Sequence, residues 1–349
     1  MEDKVIAVIG TDIHLKESNI EDVEKVFLKI KEVSDLNKCP VILMGDLVDS
    51  RKAHTEKILL TLKRLLTSLR EVILIPGNHD KVDYFSPNSI LDVFESERIK
   101  VVREYGSLSY DWDNIHFLPY FSEKGEEYYK RLEEIKKIVL SKLEIKHYLF
   151  THIGVSGFLN NSAKESANSI PLFEFNLFER VFVGHYHDKA KLENIEYIGA
   201  SLQHGFSENL IKGIYVIKTN PFVLKEGIQL KFIPINTRKY QTLEIEINEI
   251  FDYQTNLITF QEALQKYAFV RLKFIGPKAL IKKIPLTNLK SMGFDIKVKY
   301  VDSLVQGIEL QNLKYSENSL FNEFKNFVKL KGIKEEEIGK KHITQIING

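Results

Sequence analysis

Five short apolar runs in this chain end in residues that can bind a metal or move a proton. VIAVIG, residues 5–10, leads to Asp12 and His14. VILM, residues 41–44, leads to Gly45 and Asp46, with Asp49 and Arg51 beyond. VILI, residues 72–75, is stopped by Pro76 and Gly77 and followed by Asn78, His79 and Asp80. HYLFTH, residues 147–152, ends in His152, and RVFVGHYHD, residues 180–188, carries His185 and His187. A single histidine after a strand is most often a hydrogen-bonded structural residue. Five such ends, with nitrogen and oxygen donors and no thiol, are hard to produce by core packing. Burying that many unpaired polar groups would cost several kcal/mol, roughly, and a shared cation removes the cost. Asp12, His14, Asp46, Asn78, His152, His185 and His187 exceed what one tetrahedral zinc accepts. They suit two adjacent divalent cations with one carboxylate bridging. Such a pair clamps the attacking and leaving oxygens of a displacement at phosphorus. A mixed His, Asp and Asn set favours Mn²⁺ or a similar ion over Ca²⁺ or Mg²⁺.

The elements that must position these groups follow from periodicity. Continuous apolar runs suit parallel strands buried on both faces. Residues just past the C-terminal ends of such strands lie where open α/β sheets bind ligands. Asp12 and His14 are two apart, as are His185 and His187, so an extended backbone would put each pair on one side. Val23, Val26, Phe27, Ile30 and Val33 step at helical spacing, and a Lys- and Leu-rich helix covers residues 56–69. Strands are expected near Val101 and over residues 115–118, with a short helix near Leu91 and a charged helix over 123–142. YIGASLQHGFSE and IYVIKTN, residues 197–208 and 214–220, are expected to close the first domain as strands.

After residues 231–236 the sequence TRK marks a boundary. Strands at 240–248, 270–276 and 294–300, a short helix at 260–268 and a helix or loop at 278–289 predict a small α+β second domain. Residues 316–349 are polar and helical in pattern, with Leu320, Phe321, Phe324, Phe327 and Val328 forming one apolar stripe. The division is then residues 1–238, 239–312 and 313–349.

With 349 residues the chain exceeds what one domain usually needs. A net charge of +1 argues neither for nor against nucleic acid. The one cysteine, Cys39, excludes an intrachain disulfide and fits a reducing, cytoplasmic compartment. No stretch reads as a signal peptide or is long enough to span a membrane.

TDIH, GDLVDSR, GNHD, THIGVSG and GHYHD stand in the order and approximate spacing of the calcineurin-like metallophosphoesterases, and the chain resembles that superfamily from Asp12 to Asp188. Within it the sequence is similar to nuclease subunits of the SbcCD type, and to bacteriophage recombination nucleases in particular. GDLVDSRKAHTEK, NIEYIGASLQHGFSE and KFIPINTRKY carry this narrower likeness. The resemblance implies an α/β fold, two mixed sheets facing each other with helices outside, plus an α+β capping domain and a helical tail. It implies that Asp12, His14, Asp46 and His187 hold one metal ion and Asp46, Asn78, His152 and His185 the other. It makes His79 the group that faces the scissile phosphate, either protonating the leaving oxygen or stabilising phosphoryl charge. It gives Asp49 the role of orienting His79, although cellular relatives often carry His there. Arg51 falls one place later than the phosphate-binding arginine of related phosphatases. His54, His116, His147 and His342 match no motif, and His204 can go either way.

The expected function is a metal-dependent DNA exonuclease and endonuclease. It would act with an ABC-type ATPase of the SbcC type in double-strand break repair or recombination, as a homodimer within a heterotetramer. Lys278, Lys282 and Lys283 of the capping domain, with Arg51, are candidate DNA contacts, although a lysine-rich surface is most often only solvated. The tail stripe would dock on the ATPase coiled coil or, alternatively, pack on its own domain. A stand-alone phosphatase or phosphodiesterase is the alternative enzyme, and a non-catalytic scaffold the alternative of another class.

Overall fold

The structure is a computed structural model that describes residues 4–52, 54–107, 114–159, 161, 164, 168–219, 227–248 and 251–301. The apolar stripe of Leu320, Phe321, Phe324, Phe327 and Val328, and with it the tail, lies outside the described residues.

The first sheet contains β1 (Lys4–Gly10), β2 (Val41–Leu43), β3 (Val72–Leu74) and β4 (Ile99–Val101), all parallel. The second is built from β5 (Gly106–Ser107), β6 (Ile115–Leu118), β7 (Tyr148–His152), β8 (Arg180–Gly184), β9 (Ala190–Leu192) and β10 (Ile195–Tyr197). There β6, β7, β8 and β10 run parallel, and β5 and β9 are antiparallel edges. Two antiparallel strands, β11 (Gly213–Thr219) and β12 (Ile228–Pro234), complete the first sheet in the order β12-β11-β1-β2-β3-β4.

The apolar runs are buried on both faces because the two sheets face each other. Ile6, Ile9, Ile42, Met44, Ile73 and Ile75 from the first sheet pack on Phe117, Tyr148, Phe150 and Phe182 from the second. Alternate residues point outward under helices. α1 (Ile20–Asn37) and α2 (Glu56–Thr67) cover the first sheet with Val23, Val26, Phe27, Ile30, Leu62 and Leu66. α3 (Glu126–Leu140) covers the second with Tyr128, Leu132 and Ile135. The Thr55 side chain caps α2 by accepting from the Ile58 N–H. Helix, sheet, sheet, helix is thus the layering, as the family resemblance implies.

A second unit has its own core, in which Phe260, Leu272, Phe274, Leu289 and Phe294 are buried together. Its strands β13 (Tyr240–Glu246), β14 (Phe269–Gly276) and β15 (Asp295–Tyr300) are parallel. They are joined by α4 (Tyr253–Lys266), α5 (Lys278–Ile281) and α6 (Leu286–Ser291). The expected strand–helix alternation holds, but α4 starts seven residues before the expected helix, at an Asp252 side chain that accepts from the Gln254 and Thr255 N–H groups. The expected closing strand of the first unit is shorter than the sequence suggests. YIGASLQHGFSE is a strand only as far as Tyr197, and the rest is a loop that turns back across the sheet ends. That loop joins the two units: Gln203 donates to the Tyr240 carbonyl and accepts its N–H, each at 2.9 Å. Among the described residues no helix is long and apolar enough to cross a membrane.

Candidate metal centre

Because β1, β2 and β3 are parallel, and β7 and β8 are parallel in the facing sheet, all five C-terminal ends open on one edge of the sandwich. The loops after β1 and β2 continue to pair, with Asp12 N–H on the Gly45 carbonyl at 3.0 Å and His14 N–H on the Asp46 carbonyl at 2.8 Å. This pairing holds backbone conformations that L-residues rarely take. Asp12, His14, Asp46 and His185 all have positive φ, at 50°, 45°, 52° and 88°. Each such residue costs on the order of 1–3 kcal/mol and persists only where its surroundings dictate it. The expectation of an extended backbone at Asp12–His14 is therefore corrected. The two side chains meet through a left-handed turn, not through strand alternation.

Three donor groups result: Asp12 with His14 and His187; Asp46 with His152 and His185; and His14 with Asp46 and His79. Asp46 stands between them, with its Oδ2 3.3 Å from His152 Nε2 and 3.6 Å from His14 Nε2. His14 Nε2 and His187 Nε2 face each other at 3.2 Å. Asn78 Oδ1 lies 2.9 Å from His185 Nδ1. His152 donates its Nδ1 proton to the Met44 carbonyl at 2.8 Å, which leaves a buried Nε2 with no hydrogen-bond partner. An orphaned imidazole nitrogen aimed at a bridging carboxylate is what a cation site needs, and the donor set fits a divalent ion.

The electrostatics agree with this reading. Burial pushes the Asp12 carboxyl up. Burial would do the same to Asp46, but His152 and the other imidazoles outweigh it and hold Asp46 far below the usual carboxylate range. His152 is itself buried, yet Asp46 and Asp12 raise it to about 10. Burial keeps His14 well below its ordinary value and lowers His185 to about 3, so both are neutral and able to ligate.

Glycines make room for this crowding. A Cβ on Gly77 would lie 2.2 Å from Asp46 Oδ1, and one on Gly45, at φ +88°, 2.4 Å from His152 Nδ1.

His79, the third member of the group with His14 and Asp46, has its ring centroid 4.8 Å from that of His14. Its main-chain N–H donates to Asp46 Oδ1 at 2.9 Å, and its Nδ1 meets the Asp49 main-chain carbonyl at 2.6 Å. The expected partner was the Asp49 carboxylate. That carboxylate instead turns to Lys16 Nζ at 3.4 Å and lies 3.9 Å from His14 Nδ1. Arg51 lies with its guanidinium 4.3 Å from the centre of the Tyr84 ring. Tyr84 in turn packs on Tyr120, and Tyr120 on His185, so Arg51 borders the site through two aromatic rings. Lys278, Lys282 and Lys283 are exposed on and after α5. They do not line the groove beside the site, of about 740 Å³, whose basic residues are Lys189, Lys191, Arg271 and Lys297.

Thr11, Asp80 and Glu208 lie inside the quoted motifs, but the sequence assigns them no role and their supporting contacts were missed. Thr11 Oγ1 lies 2.6 Å from Asp12 Oδ2 and 2.8 Å from the Met44 carbonyl. Asp80 accepts three main-chain N–H groups from the Asp46 and Asn78 loops. Glu208 accepts from His187 Nδ1 at 2.9 Å. Burial works against the Glu208 carboxylate, but His187 and Lys212 bring it down to about 2. His204 packs on His14 and His187, and its Nε2 lies 2.7 Å from the Asp12 carbonyl. His116 and His147 bond each other in a separate buried pair.

Residues 5–189, just over half of the chain, match the calcineurin-like phosphoesterase family. This chain belongs to that family. Among curated relatives of this phosphoesterase, the SbcD subunit of nuclease SbcCD from Staphylococcus epidermidis is 26% identical over 250 residues, 63% of this chain and 64% of the relative. The same subunit from Staphylococcus saprophyticus is 24% identical over 258 residues, 65% of this chain and 67% of the relative. The phosphoesterase thus spans less than two thirds of the length of the first. The crystal structure of Pseudomonas putida nuclease MPE aligns with 65% of this chain and 87% of its own, at 12% identity and a TM-score of 0.28.

Proposed function

We propose that this phosphoesterase is a DNA nuclease that uses two divalent ions, Mn²⁺ in the first instance. The observation that carries it is Asp46 Oδ2, which lies 3.6 Å from His14 Nε2 on one side and 3.3 Å from His152 Nε2 on the other. Asp12, His14, Asp46 and His187 would hold one ion, and Asp46, Asn78, His152 and His185 the other. The ions would supply Lewis acidity at the phosphoryl oxygens and a nucleophilic hydroxide.

The chain's own residues do the rest. His79 donates its Nδ1 proton to the Asp49 carbonyl, which fixes the tautomer and leaves Nε2 for the phosphoryl group or the departing oxygen. Asp49 therefore positions His79 through its backbone, and its carboxylate with Lys16 flanks His14. Tyr120 closes one wall, its hydroxyl donating to Glu123 Oε2 at 2.9 Å. Arg51, on the Tyr84 ring, would meet a neighbouring phosphate.

The second unit favours a polymeric substrate over a small phosphoester. Lys297, and Arg271 with its ion-pair partner Asp295, carry the second unit to the groove that runs up to Glu208 and Asp188. Lys278, Lys282 and Lys283 would add weaker, more distant contacts. The name of the SbcCD relatives supports a multi-subunit assembly. We place an ABC-type ATPase as partner, the segment around Phe324 as its docking element, and the cytoplasm as the compartment.

The test uses the full chain, freed of metal with EDTA and then given Mn²⁺. It should cut linear duplex DNA and bis-p-nitrophenyl phosphate, and His79→Ala should keep both ions yet lose about 10²–10⁴ in rate. Full cleavage in excess EDTA would sink the proposal. Turnover of small phosphomonoesters with none of DNA would favour the stand-alone enzyme.

A further inference from the structure

The two halves of the site are braced by different chemistry. His152 donates its outer proton to a neutral main-chain carbonyl, that of Met44. His187 instead donates its outer proton to a carboxylate, Glu208 Oε1, at 2.9 Å. The other oxygen of Glu208 lies 3.2 Å from Lys212 Nζ and 3.1 Å from the His204 N–H. Lys212 is almost wholly buried, at 4% exposure, and its Nζ also donates to the His187 carbonyl at 2.5 Å and to Asp188 Oδ1 at 2.9 Å. Ring and backbone of His187 are therefore tied to one charged network.

An imidazole whose far N–H faces an ionised carboxylate is a stronger ligand than one facing a carbonyl, and its ring is held in the ligating orientation. The ion pair with Lys212 keeps the carboxylate charged and in place without exposing it. None of this reaches His152 or His185, whose Nδ1 atoms meet the Met44 carbonyl and Asn78.

We infer that Glu208, held by Lys212, is a positioning residue that sets the affinity of the metal position formed by Asp12, His14 and His187 and leaves the other position unchanged. The inference rests on the two-metal reading above. It makes the two positions unequal by construction, so that one ion could exchange while the other stays.

Titration calorimetry of Mn²⁺ into the EDTA-stripped full chain, with electron paramagnetic resonance at two equivalents, separates the possibilities. The wild-type chain should bind two ions and show the spectrum of a coupled pair. Glu208→Gln keeps the volume and an acceptor oxygen for His187 but loses the charge. It should raise one Kd by roughly 10–100-fold, leave the other within about twofold, and replace the coupled spectrum with that of isolated Mn²⁺. Lys212→Met should shift the same Kd in the same direction. Two unchanged constants, or two constants raised equally, would overturn the inference while leaving the two-metal reading intact. A wild-type chain that binds fewer than two ions would remove the reading itself. Circular dichroism in EDTA checks folding. Should Glu208→Gln not fold, Glu208→Asp carries the same test, because it keeps the charge but shortens the reach. A raised Kd at one position then supports the inference, and two unchanged constants overturn it.

Discussion

Replacing Asp80 by alanine should loosen two ligand loops at once. Asp80 is 1% exposed. Its Oδ1 accepts from the Leu47 N–H at 2.9 Å and the Val48 N–H at 3.3 Å, and its Oδ2 from the Gly77 N–H at 2.9 Å. Those donors flank Asp46 on one loop and Asn78 on the other. Alanine leaves them buried and unpaired. At about 1–3 kcal/mol for each of the two short bonds, the loss is about 2–6 kcal/mol, a large part of the 5–15 kcal/mol that roughly holds a domain together. Asparagine keeps an acceptor for Leu47 and Val48 but points an amide N–H at the Gly77 N–H, so it should cost about 1–3 kcal/mol. Urea unfolding in EDTA, followed by circular dichroism, gives both values. An Asp80→Ala midpoint equal to that of wild type would refute the reasoning. The same experiment has a pH signature. Burial, and then the nearby Asp46, push the Asp80 carboxyl up from 3.8 to about 7. Between those values the folded chain holds a proton that the unfolded chain has lost. The contribution of Asp80 to stability is thus fully present below its ordinary pKa and lost as pH rises through about 7. Asparagine does not titrate, so the gap between wild type and Asp80→Asn should narrow across that window.

Gly45→Ala must place a Cβ 2.4 Å from His152 Nδ1 at φ +88°. Left-handed strain of about 1–2 kcal/mol adds to a lost hydrogen bond of about 1 kcal/mol, and the Mn²⁺ stoichiometry should fall; wild-type binding by titration calorimetry would contradict this. Metal loading should also release protons, because His152 is held protonated up to about 10 by Asp46 and Asp12 against its burial. The apparent Mn²⁺ affinity should therefore rise with pH up to that value, and calorimetry in two buffers of different ionisation enthalpy should read about one proton released per chain near pH 8. No release would mean that His152 is already neutral in the metal-free protein.

The sequence by itself determined the strands and where their chemistry lies. A run such as VIAVIG has no polar face, is too short for a helix and is rich in β-branched residues, so it reads as a strand covered on both sides with the groups after it at a sheet edge. Five such runs put the donor residues past strand ends, while two facing sheets with the donors at one edge came only from the family resemblance; the helix faces of α1 and α2 followed from their 3.6-residue period. The separate core of the second unit was legible for the same reason. What the sequence could not determine was everything that depends on a chain reversal or on a partner far along the chain. The extended geometry expected at Asp12 and His14 is a left-handed turn, because main-chain bonds from the Gly45–Leu47 loop dictate it. The Asp49 carboxylate was free to be expected at His79. Lys16, distant in sequence, draws it away, and the carbonyl orients the ring instead. Thr11, Asp80 and Glu208 lie inside the quoted motifs, but nothing in the motifs says what they touch. Each acts by hydrogen bonds to main-chain or imidazole groups across loops, and hydrogen-bond partners over such separations have no period to read. Only the tertiary structure brings Glu208 and Lys212 to the back of His187, and so only it decides that the two halves of the site differ.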